Sequence, residues 1–119
     1  MSISNRDIAI LSKIVSYCEE INKTIEYFSN EYEVFQNNSI YRNSISMCVL
    51  QIGELSVNLT EAFKSTYNEM PWREIKGLRN FVAHEYGNLD IMEVWNTIQE
   101  DIPVLCGYCK KILSQIHEV

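Results

Sequence analysis

The chain has 119 residues, of which 46% are hydrophobic and 22% charged, so we expect one compact domain with a buried core over residues 1–119. Its net charge of −6 argues against general attraction to nucleic acid, and no DNA partner is expected. Only four glycines and two prolines interrupt it, which favours long helices.

No uncharged stretch reaches the length of about 18 residues that a membrane span needs, and the N-terminal MSISNRDIAI lacks the basic and apolar regions of a signal peptide. We therefore expect a cytoplasmic protein without a membrane partner. Disulfides do not persist in that compartment, so the cysteines should be reduced thiols that fill the core. These cysteines are Cys18, Cys48, Cys106 and Cys109.

The first predicted helix begins after Ser4 and ends near Ser29–Asn30. Its apolar residues recur at three- and four-residue spacing, which is typical of a helix with one face on a core. They are Ile8, Leu11, Ile14, Val15, Cys18, Ile21 and Ile25. The following EYEVFQNNS predicts a short connector with one helical turn that places Phe35 on the core, ending in a helix cap at Asn38 or Ser39.

A second long helix is predicted from Ile40 to about Tyr67, again from the spacing of its apolar residues. Gly53 lies inside it, and a glycine in a helix costs about 1 kcal/mol relative to alanine. Such a residue is tolerable where another helix must approach closely. We therefore predict a tight helix crossing at Gly53.

A third helix is predicted from the first turn at Pro71 to about Tyr86, stopped by Gly87–Asn88. Asp90 and Glu93 have the spacing of a capping box for the next helix, and Pro103 should start or kink the last helical segment. No alternating β-branched run is long enough for a strand. The predicted class is all-α, an up-and-down bundle of four main helices with a short extra helical segment.

The stretch GLRNFVAHEYGN in the third helix carries the candidate chemistry. At about 100° per residue, Leu78 and Val82 fall on the core-facing arc, whereas Arg79, Asn80 and His84 fall outside it. From this spacing alone, a chance arrangement and a functional site are equally acceptable interpretations.

The trio would suit the cleavage of RNA without a metal or cofactor. His84 can transfer protons near neutral pH, and the Arg79 guanidinium can donate two hydrogen bonds to the phosphate oxygens as charge develops there. Asn80 could orient the phosphate or the imidazole. A second copy across a two-fold axis would supply another Arg and His to the same cleft, so we expect a homodimer.

The segment PWREIKGLRNFVAHEY resembles the signature region of HepT-type toxins of the HEPN superfamily. That signature is Arg, four residues, His, and a Tyr two positions further, which Arg79, His84 and Tyr86 match, with Asn80 as the polar residue after the Arg. The segments DIAILSKIV, LQIGELSVNL and EVWNTIQEDIPVL also resemble the family, so the likeness covers nearly the whole chain.

The resemblance implies a HEPN-like helical homodimer that acts as a metal-independent ribonuclease toxin, with no cofactor. It implies an RNA substrate and an MntA-type minimal nucleotidyltransferase antitoxin as partner, with which the dimer could form a larger hetero-oligomer. In this family the antitoxin silences the toxin by adenylylating the motif tyrosine, which corresponds to Tyr86.

Positive charge is concentrated directly before the motif. Residues 64–79 carry four basic and two acidic side chains. We therefore predict salt-sensitive RNA binding through Arg73 and Lys76 together with Arg79, from both protomers.

Two other functions remain open. The chain could be a non-catalytic HEPN-like module that docks a nucleotidyltransferase and binds nucleotide or RNA. The CGYC sequence could support thiol redox chemistry, but no predicted strand precedes it, so Cys106 and Cys109 are expected to be core fillers. Trp72 and Trp95 are expected in the core or a dimer interface, with base stacking on Trp72 as an alternative.

Overall fold

The structure is a computed structural model that describes residues 3–80 and 90–116. Within those ranges all regular structure is helical, which confirms the predicted all-α class. None of these helices is long and apolar enough to cross a membrane. In chain order they are α1 (Asn5–Phe28), α2 (Tyr32–Asn37), α3 (Ser39–Val57), α4 (Glu61–Thr66), α5 (Trp72–Lys76), α6 (Asp90–Asn96) and α7 (Ile102–Ile116).

The two longest helices begin at side-chain caps. The Ser4 hydroxyl accepts a hydrogen bond from the Asp7 N–H at 3.1 Å before α1, and the Asn38 carboxamide accepts from Ile40 and Tyr41 before α3. The predicted boundaries at Ser4, Ser29 and Asn38 are confirmed. Between these caps α1 packs against α3 on one side and α7 on the other, and this three-helix unit supports the rest.

The short helix α2 closes one end of the core, as the sequence predicts. Phe35 is fully buried and contacts the rings of Tyr41 and Trp95 at centroid distances of 5.0 and 5.2 Å. The Tyr41 hydroxyl donates to the Ser29 carbonyl at 2.8 Å, so this buried phenol has a partner. The aromatic contacts therefore tie α2, α3 and α6 to the end of α1.

The predicted second helix from Ile40 to Tyr67 is wrong in its last third, because α3 ends at Val57 and α4 starts at Glu61. The Thr60 N–H donates to the buried Asp7 carboxylate at 2.9 Å, whereas a continuing helix would direct that N–H to the Ser56 carbonyl. The Thr60 hydroxyl then accepts from the Phe63 N–H and caps α4. A contact with α1 thus divides the predicted helix.

Pro103 has the expected effect on the last helical segment. A proline ring clashes with the carbonyl four residues earlier in a regular helix, here that of Gln99. The chain forms a π-helical turn over Thr97–Asp101 and then continues as α7, so α6 and α7 are parts of one irregular helix. Whether Asp90 caps α6 remains a prediction, because the residue before it lies outside the described ranges.

Candidate functional site

Arg79 is positioned by a close contact between its backbone and α3. It ends a 3₁₀ turn, Gly77–Arg79, that follows α5 directly. A Cβ atom placed on the buried Gly53 would lie 2.9 Å from both the Arg79 nitrogen and its Cγ. Carbon atoms do not approach that closely, so only glycine permits this crossing. The tight crossing predicted at Gly53 is confirmed, and it places a motif residue.

The Arg79 side chain extends from this anchored backbone to the surface. One guanidinium nitrogen, Nη1, lies 3.9 Å from Oε1 of Glu54, and the two side chains are 36% and 52% exposed. An exposed ion pair at this distance contributes at most about 1 kcal/mol. Glu54 therefore restrains the guanidinium weakly, and within residues 3–80 and 90–116 it is the only ion-pair partner of Arg79.

The described part of the motif has the predicted orientation. Leu78 is buried, Arg79 is half-buried and Asn80 is exposed. The 3₁₀ turn advances the chain by about 120° per residue instead of 100°, which still separates Leu78 from Arg79. Phe81, Val82, His84, Tyr86 and the predicted stop at Gly87–Asn88 lie outside the described residues. The placement of His84 and Tyr86 therefore remains a prediction.

A basic groove lies where the end of α3 meets α4 and α5. Two of its side chains, Arg73 and Lys76, are exposed one turn apart on α5, and neither forms an ion pair with a described residue. The structure thus brings together the two side chains predicted to bind RNA, one turn before Arg79. The basic groove is lined by Ser56, Glu61, Lys64, Trp72, Arg73 and Lys76.

Trp72 lines this groove but is mainly part of the core. It is 8% exposed, its Nε1–H donates to the Tyr67 carbonyl at 2.9 Å, and it packs against Phe63 and Tyr108. At 8% exposure too little of the ring is accessible to stack on a nucleobase, so the stacking alternative is wrong. Trp95 is also buried, at 9% exposure, and the core interpretation of both tryptophans is confirmed.

The four cysteines are free and buried, which confirms their prediction as core fillers. Burial raises the pKa of Cys109 to about 12, and burial together with the neighbouring Cys106 and Cys109 raises the pKa of Cys18 further. A protonated, inaccessible thiol is a poor nucleophile, so the CGYC sequence lacks the environment of a redox pair. Within residues 3–80 and 90–116, no group of three or more metal-binding side chains comes together.

Sequence reasoning missed Glu54 and gave Lys64 no role in binding. Glu54 meets Arg79 across a helix crossing 25 residues away in the chain, and no spacing rule within one helix reports such a pair. Its position directly after Gly53 was the available signal, because a close crossing places the next residue near the approaching chain. Lys64 was counted in the basic segment, but its position beside Arg73 depends on the break between α3 and α4.

These features define an all-helical protein that presents an anchored, surface-directed arginine beside a basic groove. Residues 15–112 match the family model described as Ribonuclease HepT-like, and the chain belongs to this HepT-like family of the HEPN superfamily. The matched range includes Gly53, Arg79 and every residue that lines the basic groove.

Individual relatives agree with the family match. A protein of Thermococcus cleftensis named "Probable ribonuclease HepT" is 34% identical over 81% of this chain and 92% of its own length. Two proteins of Methanocaldococcus jannaschii, both named "Putative RNase", are 33% and 31% identical, covering 85% and 95% of this chain and 92% and 97% of their own lengths. No solved structure matches the chain significantly.

Proposed function

We propose that this protein is the toxin of a toxin–antitoxin system and acts as a metal-independent endoribonuclease in the cytoplasm. Arg79, His84 and Asn80 are its catalytic residues, and Arg73 and Lys76 bind the RNA. One observation carries the proposal: in a chain of the HepT-like ribonuclease family, Gly53 anchors the motif arginine so that its guanidinium reaches the surface beside a basic groove.

Cleavage requires one proton to leave the attacking 2′-oxygen and one proton to reach the departing 5′-oxygen. The 2′-oxygen forms a bond to phosphorus as the bond to the 5′-oxygen breaks, which leaves a 2′,3′-cyclic phosphate and a 5′-hydroxyl. An imidazole is suited to both transfers because its pKa lies near neutral pH. Arg79 donates two N–H groups to the non-bridging oxygens, where negative charge develops, and Asn80 orients the phosphate.

Two copies of the chain would complete this site. A single histidine can serve as base or acid, whereas in-line cleavage uses both at once on opposite sides of the phosphorus. Arg79 and Asn80 lie at the surface, so a two-fold axis beside them would place a second Arg79 and His84 in the same cleft. The proposed active form is therefore a homodimer.

Adenylylation of Tyr86 by a partner nucleotidyltransferase is the proposed means of silencing. Tyr86 follows Arg79 by seven residues, so a continuing helix would place it two turns further on the same side. The phosphate of an attached AMP would then reach the Arg79 guanidinium and occupy the cleft. Co-expression with the antitoxin should add the mass of one AMP to the intact protein, and Tyr86→Phe should abolish that gain.

The central test measures cleavage of RNA by the purified protein in excess EDTA. The parent should cleave, and His84→Ala should lose cleavage and growth inhibition while keeping RNA binding and thermal stability. A His84→Ala protein that cleaves like the parent would contradict the assigned catalysis, and cleavage that stops in EDTA would contradict metal independence. Binding without cleavage by the parent would instead favour the non-catalytic binding module.

A further inference from the structure

The basic groove contains a third cation that the sequence did not assign. Lys64 extends from α4 toward the groove, which has a volume of about 240 Å³ and also receives Arg73 and Lys76 from α5. The only acidic side chain among its six lining residues is Glu61. Three positive charges around one small groove favour an anionic ligand.

Two residues that line the groove, Ser56 on α3 and Lys76 on α5, lie near the anchored Arg79. The Ser56 hydroxyl lines the groove and donates to the Gly53 carbonyl at 2.8 Å, one turn from the position where Arg79 crosses α3. On the other side, Lys76 precedes Arg79 by three residues, which is about 5 Å along a helix. A chain of phosphates held at Arg79 can therefore continue into the groove.

We infer that the basic groove is a subsite for a backbone phosphate of single-stranded RNA, next to the phosphate that is cleaved, and that Lys64 is one of its ligands. This inference rests on the proposed ribonuclease function, because it takes Arg79 as the residue at the reacting phosphate. It adds a binding residue, Lys64, and a restraining residue, Glu61.

The lining of the groove suits a phosphate better than a nucleobase. Trp72 is only 8% exposed, and its N–H is already donated to the Tyr67 carbonyl. Ser56 is 2% exposed, and its hydroxyl donates to the Gly53 carbonyl. Base-specific readout here would need a stacking surface or hydrogen-bonding groups fixed against a base edge, whereas lysine and arginine side chains around a groove without a stacking surface contact mainly the backbone phosphates. The subsite should therefore show no base preference.

Glu61 forms an ion pair with Lys64 at the groove. The Lys64 Nζ lies 3.2 Å from the Glu61 Oε1, three residues earlier on α4, and the Glu61 side chain is 90% exposed. The Lys64 side chain is 21% exposed, but an ion pair whose carboxylate is in solvent is still weak and can be exchanged for a stronger contact with phosphate. Glu61 thus competes with RNA for Lys64, and removing its charge should strengthen RNA binding.

The test measures binding of fluorescent single-stranded oligouridine and oligoadenine by fluorescence anisotropy, in a His84→Ala background that prevents cleavage. Lys64→Gln should weaken binding of both sequences by about threefold to tenfold and reduce the slope of log K against log salt by about 0.7. Glu61→Gln should tighten binding of both by about twofold to fivefold. Thermal unfolding of each variant confirms that these surface changes leave the fold intact.

Lys23→Gln is the matched control. Lys23 is exposed on α1. Asp7, at the other end of this helix, contacts Thr60 at the start of α4, and Lys23 lies sixteen residues, or about 24 Å, further along α1. The Lys23→Gln substitution removes one positive charge, as Lys64→Gln does, but at a distance from the groove that exceeds the Debye screening length. The subsite is refuted if Lys64→Gln binds RNA like Lys23→Gln, or if its effect appears with only one of the two sequences.

RNA cleavage is also measured with proteins that keep His84, because this assay distinguishes failure of the subsite from failure of the proposed ribonuclease function. If the parent cleaves RNA and the Lys64 and Lys23 variants bind alike, the subsite is wrong and the ribonuclease stands. If the parent does not cleave but Lys64→Gln still weakens binding of both sequences, the groove binds RNA and the proposed catalysis is wrong. Absence of RNA binding by the parent overturns both.

Discussion

Gly53 and Arg79 are in direct contact, with the α3 backbone at the glycine packed against the backbone and Cγ of the arginine. The contact fixes the Arg79 backbone, whereas among the described residues only Glu54 pairs with the guanidinium, at 3.9 Å. Anchoring of the backbone reduces the entropy lost when the arginine binds a phosphate. A guanidinium that is held only weakly by Glu54 can still adjust as charge develops during the reaction.

Gly53→Ala should therefore damage the candidate site as well as the fold. The added Cβ would lie 2.9 Å from the Arg79 nitrogen, and a backbone atom cannot move away cheaply. Overpacking costs about 1–3 kcal/mol, of which the better helix propensity of alanine returns up to about 1. We expect a net loss of about 1–2 kcal/mol in urea unfolding. Because Arg79 is displaced, RNA cleavage should fall by about 100-fold.

Gly107→Ala is the control for this experiment. Gly107 is exposed within α7, and a Cβ there would meet no atom within 4 Å. The same substitution should stabilise the protein by about 0.5–1 kcal/mol and leave cleavage unchanged. Equal effects of the two substitutions on cleavage would show that the Gly53 contact does not position Arg79.

Arg79→Lys separates the charge of Arg79 from its shape. Lysine keeps the positive charge and the Cγ beside Gly53, but it lacks the planar fork that donates two parallel hydrogen bonds. We expect kcat for RNA cleavage to fall by about 10²–10³-fold, while the affinity for RNA changes by less than about threefold. Single-turnover cleavage and anisotropy binding measure the two quantities. A lysine variant with the parental kcat would show that charge alone suffices.

Regular apolar spacing made most of the fold predictable. Together with capping residues and proline chemistry, it located the start of α1, the helical turn at Phe35, the cap at Asn38 and the effect of Pro103, because each depends on residues that are close in the chain. The break between α3 and α4 was missed. It depends on the buried Asp7, whose carboxylate meets Thr60 53 residues away, and apolar spacing carries no information about that contact.

The candidate site was also predictable only in part, because some of its contacts join residues that are distant in the chain. The outward position of Arg79 and the importance of Gly53 follow from helical geometry and helix propensity. Two other features can be predicted only when the crossing of α3, α4 and α5 is known. They are the ion pair of Arg79 with Glu54 and the position of Lys64 beside Arg73 and Lys76. The role of His84 was inferred from imidazole chemistry as well as from the family signature, whereas the role of Tyr86 comes from the family signature alone, and both stay predictions.

Asp7 should be an acid-sensitive point of the fold. Burial raises its pKa, but hydrogen bonds from the Thr60 N–H, the Thr60 hydroxyl and the Ser4 hydroxyl outweigh burial, so the folded-state pKa lies below the ordinary 3.8. A lowered carboxyl pKa stabilises the protein above the unfolded-state pKa and loses that contribution as pH falls through the folded-state value. Asp7→Asn should therefore lower the free energy of unfolding at pH 7 by about 2–3 kcal/mol.

Urea unfolding at several pH values checks this prediction. The difference between parent and Asp7→Asn should be constant from pH 7 down to about pH 5 and should shrink below pH 4 as the parent carboxylate is protonated. Asp101→Asn is the control, because Asp101 is exposed and its substitution should change stability by less than about 0.5 kcal/mol. A difference that stays constant to the lowest pH would mean that the charge of Asp7 contributes nothing.

The cysteines should resist modification in the folded protein. Burial raises the pKa of Cys109 to about 12, and burial together with the Glu20 carboxylate raises the pKa of Cys48 to about 12, so neither forms an appreciable amount of thiolate at pH 8. Iodoacetamide at that pH should therefore label no cysteine within minutes, whereas the same treatment in denaturant should label all four, as counted by intact mass. Cys106→Ser should leave RNA cleavage unchanged. Rapid labelling of Cys106 and Cys109 in the folded protein, together with loss of activity, would restore a thiol function for the CGYC sequence.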